Sequence, residues 1–249
     1  MKYYSTRDEK QSKFDSAQVI KQGLATDGGL FVPEALPRIT EEEVTKLCGM
    51  TYPERAAFVL SKFLTDYTYE ELLNDCNEAY SDKSFNGGAA PLKKVTDDIF
   101  SLELWHGPTA AFKDMALQIM PRLLSRALVK TGETNTALIL VATSGDTGKA
   151  ALEGYKDIER IKIIVFYPVD GVSQVQKLQM ATQTGNNVKV CAIKGNFDDA
   201  QTGVKKIFSD NAAKNKLLEN NYVLSSANSI NWDAWRLRSC ITFPHTAIL

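Results

Sequence analysis

Lys113 stands in Trp105-His106-Gly107-Pro108-Thr109-Ala110-Ala111-Phe112-Lys113-Asp114, a stretch that turns and then enters a helix. Gly107 and Pro108 make the turn, Thr109 has the character of an N-cap, and Lys113 falls in the first helical turn. The positive end of a helix dipole disfavours an ammonium there. One reading is a solvated lysine offset by Asp114. The other is an amine held neutral by dipole and burial, nucleophilic toward a carbonyl or an aldehyde cofactor. Position alone leaves both open. A second stretch, Ala142-Thr143-Ser144-Gly145-Asp146-Thr147-Gly148-Lys149-Ala150, sets two glycines, hydroxyls and backbone N–H groups at a helix start. It reads as an anion cradle or as a plain capped turn. It is no Walker A loop, since Ala150 follows Gly148-Lys149 and Thr143 replaces the first glycine. It is no GxSxG elbow, since Ala142 and Asp146 occupy the glycine positions. In Ile193-Lys194-Gly195-Asn196-Phe197-Asp198-Asp199 the Asn and Asp read chiefly as helix caps. Ser225-Ser226-Ala227-Asn228-Ser229-Ile230-Asn231-Trp232 is polar beyond the needs of a turn and is a candidate ligand-contacting loop.

The elements that must position these loops follow from periodicity. The first ninety residues read as mainly helical. Thr40-Glu41-Glu42-Glu43 is a capping-box pattern with Gly49 as its stop, and helix-like spacing covers residues 53–64 and 69–80. Asp27-Gly28-Gly29-Leu30-Phe31-Val32-Pro33 is a turn into a short extended piece, and residues 86–91 are flexible enough for a boundary. Beyond them, strands are expected at 99–105, 136–142, 161–167, 187–193 and 221–225. Helices are expected at 112–130 (bent or split by Pro121), 147–155, 173–183 and 198–219. Five strands alternating with helices imply right-handed crossovers on a parallel sheet, with ligands outside the carboxyl ends of the strands.

Composition narrows the class. The 249 residues are 44% hydrophobic and 24% charged, with 29 basic against 30 acidic side chains, as in a soluble globular protein. A formal net charge of -1 gives no general pull toward nucleic acid or anionic membrane. The longest apolar run, Ala137 to Ala142, is too short to span a bilayer. The opening residues hold no hydrophobic segment, so no signal peptide is expected. The four cysteines form no CxxC unit and read as reduced thiols of a cytoplasmic protein, and two histidines are too few for a multi-histidine metal site.

Taken together these loops resemble those of threonine synthase, a pyridoxal-phosphate enzyme with the tryptophan-synthase-β-like fold. The resemblance runs from Met1-Lys2-Tyr3-Tyr4-Ser5-Thr6-Arg7 through Asp27–Pro33 to Asn228-Ser229-Ile230-Asn231-Trp232. Leu104–Thr109, Ala111–Asp114 and Thr143–Gly148, in that order, carry its specificity. It implies an α/β, three-layer, parallel-sheet fold of the type II pyridoxal-phosphate class, incomplete here. Residues 1–90 would be a mainly helical N-terminal segment and residues 91–232 the first half of the cofactor-binding domain. Lys113 would hold the cofactor as a Schiff base and then move protons as general base. Phe112 and Asp146 would be further cofactor contacts. Ser144, Gly145, Asp146, Thr147 and Gly148 would grip the substrate carboxylate, and Asn228, Ser229 and Asn231 would line the same cleft. His106 and Thr109 would stand near the substrate, with a structural role for His106 equally open. The reaction implied converts O-phospho-L-homoserine and water to L-threonine and phosphate.

Two departures accompany the resemblance. Family members run longer, and their cofactor-phosphate loop, Gly-Asn-Phe-Gly-Asp, lies downstream of the Asn-Ser-Ile-Asn loop. Gly195-Asn196-Phe197-Asp198 comes too early to take that role. The family also continues Asn-Trp with Gly-Arg, whereas Trp232 leads here into Asp233-Ala234. Dropping one G from TGG-GGA-CGC gives TGG-GAC-GC, which reads Trp-Asp-Ala, so residues 233–249 are expected to be a frameshifted tail. Weak or absent activity is the expectation for such a chain. Alternatives are another pyridoxal-phosphate elimination enzyme, such as a serine/threonine dehydratase, or a non-catalytic fragment; oligomeric state is not legible.

Overall fold

The computed structural model describes residues 1–225 and residue 227. Four helices dominate the opening: α1 (Ser16–Gln22), α2 (Glu41–Cys48), α3 (Tyr52–Phe63) and α4 (Tyr69–Ala79). Thr40 caps α2 as its sequence predicts, accepting from the Glu43 N–H at 3.3 Å while Glu43 accepts the Thr40 N–H at 3.0 Å. The short extended piece expected before residue 34 is β2 (Phe31–Pro33), and the helical expectation passed over only its antiparallel partner, β1 (Tyr3–Ser5). Three residues are too short for alternation to register, and the pairing joins segments far apart in sequence.

A second difference lies at residues 99–105. Only β4 (Phe100–Leu102) forms there, and it pairs antiparallel with β3 (Leu92–Lys94) in a sheet of its own. The turn between them closes locally, with the Val95 N–H on the Ile99 carbonyl at 2.8 Å. A hairpin needs no crossover and is the nearer solution for so short a strand. The parallel sheet among the described residues therefore has four strands, not five.

Those four are β5 (Thr136–Ala142), β6 (Ile161–Pro168), β7 (Val188–Ile193) and β8 (Tyr222–Ser225), in the order β7-β6-β5-β8. Register puts Ala137 beside Ile161, Val141 beside Val165, and Ile139 beside Ser225. Between the strands run α7 (Asp146–Tyr155), α8 (Gln174–Ala181), α9 (Phe197–Ser209) and α10 (Asn211–Glu219). The predicted helix over 198–219 is split at Asp210, whose carboxylate accepts the Ala212 and Ala213 N–H groups and starts α10. Steps β5→β6→β7 travel one way and the return to β8 travels the other, so right-handed crossovers place α7 and α8 on one face and α9 and α10 on the other. Residue burial agrees. Ala137, Ile139, Val141, Ile161, Ile163 and Val165 are buried under the α7 side, while Leu138, Ile164 and Phe166 opposite are half-buried.

Ahead of the sheet, Pro121 splits the predicted 112–130 helix into α5 (Asp114–Leu117) and α6 (Met120–Lys130) and stands in the first turn of the latter, where its missing N–H costs nothing. One apolar core joins the helical opening to the sheet, from Tyr3, Leu60 and Leu72 through Met115 and Leu123 to Ile139 and Val165. Three polar contacts reinforce it. Tyr80 donates to the Met115 carbonyl at 2.7 Å, Tyr67 to the Leu123 carbonyl at 3.1 Å, and Arg126 grips the buried Asp75 at 2.5 and 2.9 Å. The opening helices thus brace α5 and α6 directly. Among the described residues no helix is long and apolar enough to cross a membrane.

Candidate active site

The strand order reverses at β5, which has β6 on one side and β8 on the other. In open parallel sheets the ligand crevice lies at that point, outside the carboxyl ends of the strands. Residues 143–148 leave β5 there. Thr143, buried, organises them: its hydroxyl accepts the N–H groups of Gly145 at 3.0 Å and Gly148 at 2.9 Å. Gly145 sits at φ 156, and a Cβ there would come within 2.5 Å of the Gln176 amide. A Cβ at Gly148 would lie 2.4 Å from Thr143 Cγ2 and 2.9 Å from Val165 Cγ1, so this glycine lets α7 press onto the sheet. The cradle is narrower than its sequence suggests. Two of its N–H groups are taken by Thr143, leaving those of Ser144, Asp146 and Thr147 without a partner among the described residues.

The stretch before α5 is built around a different side chain from the one the sequence pointed to. Thr109 is no N-cap: its hydroxyl donates to Asp114 Oδ1 at 2.6 Å and its N–H to Asp114 Oδ2 at 2.8 Å. Asp114 is fully buried, and burial pushes its carboxyl above the ordinary range, against the lowering effect of the Thr109 bonds. Gly107 leaves room for it, since a Cβ there would be 2.5 Å from both Asp114 Cβ and Oδ2. Asp114 is therefore spent on holding the turn and does not offset Lys113. Lys113 occupies the N-cap position of α5 and turns to Asp146, with Nζ 2.9 Å from Oδ1 and 3.0 Å from Oδ2, and 5.5 Å from the centre of the Phe112 ring. Neither sequence reading anticipated this two-pronged ion pair across the crevice.

A cleft of about 360 Å³ opens beside the pair, between the Thr109–Phe112 turn on one wall and Asp146, Lys149, Gln176 and Gln179 on the other. That volume is within the range of small-molecule sites. Lys149 is held away from Asp146 by Glu153 at 3.3 Å and by Gln183. Lys113 itself, Ser144, Gly145, Thr147 and Gly148 are not among the residues that line the cleft; Lys113 reaches its edge through the bond to Asp146, and Thr147 and Gly148 lie in the first turn of α7. Asn228, Ser229 and Asn231, and residues 233–249, lie outside the described residues.

His106 is not part of the cleft lining. Its Nδ1 is 2.9 Å from the Asn86 carbonyl and its Nε2 is 2.8 Å from Glu103 Oε2, while its ring stacks on Trp105. Both partners accept, so the doubly protonated ring satisfies both, and Glu103 first and the Asn86 carbonyl second raise its pKa above 6.5. A raised folded-state pKa contributes stability that is complete below the unfolded value and is lost as pH climbs through the folded one. Thermal melts from pH 6 to pH 9 are expected to show a downward slope above about pH 6.5 that disappears in His106→Gln. An unchanged slope in the variant would remove this role.

Gly195-Asn196-Phe197-Asp198 behaves as the caps its composition suggested. Asn196 accepts the Asp199 N–H at 3.0 Å, and Asp199 accepts the Asn196 N–H at 2.8 Å at the start of α9. Two residues that line the cleft went unassigned in the sequence, Gln176 and Gln179, while Asp114 was read as the offset to Lys113 and Thr143 and Lys149 only as parts of the cradle stretch. Gln176 carried a readable signal as the third residue after the capping Ser173, and it does accept from that serine's hydroxyl at 3.1 Å. Its place over Gly145 carried none, because it depends on how α8 lies against α7.

Comparison with known proteins places this geometry. Residues 2–80 match the family described as threonine synthase N terminus. Over its whole length the chain is 40% identical to threonine synthase of Pseudomonas aeruginosa, of which it covers 51%, and over 89% of its length it is 39% identical to human threonine synthase-like 1. The fold superposes on a crystal structure of threonine synthase from Brucella melitensis with pyridoxal phosphate bound, at a TM-score of 0.88 and 37% identity, covering 99% of this chain and 52% of that one. The yeast threonine synthase structure gives a TM-score of 0.85 at 31% identity. The chain spans about half the length of the threonine synthases it matches. Identity along the chain, the matched opening segment and the shared arrangement of sheet and helices make it similar, over its whole length, to about half of a threonine synthase.

Proposed function

We propose that this chain supplies the lysine-bearing half of a pyridoxal-phosphate site that converts O-phospho-L-homoserine and water to L-threonine and phosphate. The observation that carries the reading is the Lys113 amine, delivered to the carboxyl end of β5 beside a cleft of fitting size and a cradle with three N–H groups that have no partner among the described residues. Those residues suit an aldehyde cofactor and an amino-acid carboxylate: a primary amine for the first, N–H donors at a helix start for the second. When bound, the cofactor supplies the electron sink. Lys113 would hold it through the ε-amine and afterwards carry protons to and from the substrate carbon. Ser144, Asp146 and Thr147 would orient the carboxylate, with Gly145 and Gly148 giving the backbone its close approach, and Phe112 would flank the cofactor. Thr109, on the cleft wall, would stand near the substrate while its hydroxyl and N–H hold Asp114. Asn228, Ser229 and Asn231 would close the same cleft, and His106 is assigned a bracing role.

Residues 1–90 serve in this reading as a brace for α5 and α6, residues 91–232 as the cofactor-binding part, and residues 233–249 as a tail foreign to the family. The setting is the cytoplasm. The test is chemical. Pyridoxal 5′-phosphate added to the purified chain is expected to give the yellow absorbance of a lysine imine, and borohydride is expected to fix the label on the peptide holding Lys113. Label on another lysine, or none, would overturn the proposal.

A further inference from the structure

The ion pair at the cleft poses a problem for any chemistry at Lys113. Forming a C=N bond from a lysine ammonium and an aldehyde releases one water and one proton, the carbonyl oxygen leaving with two hydrogens from nitrogen. The nitrogen must first shed a proton so that its lone pair can reach the carbonyl carbon. In this structure all of that is opposed by Asp146, whose two oxygens lie 2.9 and 3.0 Å from Nζ. The pair is partly open, with the lysine side chain 27% and the aspartate side chain 47% exposed. Each partner is placed independently of the other. Asp146 is the first residue of α7, where the dipole favours a carboxylate, and Lys113 immediately precedes α5, where no such favour exists for an ammonium. Among the described residues the nearest charges in sequence have partners of their own. Lys149 is tied to Glu153 and Gln183, and Asp114 is tied to Thr109.

We propose that Asp146 is a positioning latch: it holds the Lys113 ammonium across the cleft until an incoming aldehyde displaces it, and so sets how readily that amine condenses. This rests on the assignment of Lys113 as the condensing lysine, but the two can fail separately. Reductive methylation of the intact chain with formaldehyde and cyanoborohydride, read lysine by lysine by mass spectrometry, uses the same condensation without the cofactor. Exposed Lys189 serves as the internal reference. Asp146→Asn is expected to raise the relative labelling rate of Lys113 about threefold, the scale of a partly exposed ion pair. In the unmodified chain the Lys113 rate is expected to rise toward the variant's between low and molar salt, as screening weakens the pair, whereas in Asp146→Asn it should stay flat. The salt arm needs no variant and decides the matter if Asp146→Asn folds poorly. A Lys113 rate that ignores both salt and substitution, or that falls when Asp146 is neutralised, overturns the latch. Borohydride trapping on a different lysine would overturn the assignment of Lys113 instead, leaving the methylation result to be read on its own.

Discussion

Lys113→Ala is expected to abolish the imine absorbance and the borohydride-fixed label, and to lower any turnover of O-phospho-L-homoserine at least about a thousandfold, the scale of losing a positioned proton carrier. The loss should appear in this chain and in any longer polypeptide that contains it. The fold should survive, because among the described residues the Lys113 amine bonds to Asp146 alone and the turn around it is held by Asp114 and Thr109. Circular dichroism and the melting temperature are therefore expected to stay near those of the parent. Lys113→Ala with label and turnover intact would end the functional reading. A collapse of the fold would instead contradict the division of labour between Lys113 and Asp114.

Gly154→Ala has the opposite profile, an expected loss of stability from a residue that touches no ligand. Alanine in mid-helix normally gains up to about 1 kcal/mol over glycine. Here a Cβ would sit 1.9 Å from the Leu117 carbonyl oxygen and 2.7 Å from its carbon, backbone atoms that cannot rotate away. Overpacking of this kind should cost about 3 kcal/mol, reversing the usual sign. For a chain of this size that is a fall of roughly 10 °C in melting temperature. The collision matters for the site because Leu117 ends α5, which begins directly after Lys113, while Gly154 lies on α7, which begins at Asp146. Forcing α7 from α5 separates the two partners of the ion pair, so cofactor capture should fall along with stability. Urea titration and pyridoxal-phosphate absorbance on the same sample check both; a variant as stable as the parent would show that α7 is not seated as closely as described.

What the sequence by itself determined was local or periodic. The buried strands at 136–142 and 161–167 announced themselves by continuous apolar runs, the start of α2 by Thr40 and Glu43, and the break before α6 by Pro121. The sequence also singled out Lys113 and the Thr143–Gly148 loop, because an amine or a pair of glycines at a helix start is unusual wherever it lies. Tertiary structure decided who partners whom. Asp114 adjoins Lys113 in the chain yet turns into the core, while Asp146, thirty-three residues away, reaches across the crevice to it. His106 neighbours the lysine turn in sequence but is drawn toward Asn86 and Glu103 instead. The strand expected at 99–105 left the main sheet for a local hairpin, since closing a short turn costs less chain entropy than threading a crossover. Spacing along a chain reports which elements can form. Which side chains meet depends on how α5, α7 and α8 are seated on β5, and no one-dimensional pattern carries the few ångströms that settle it.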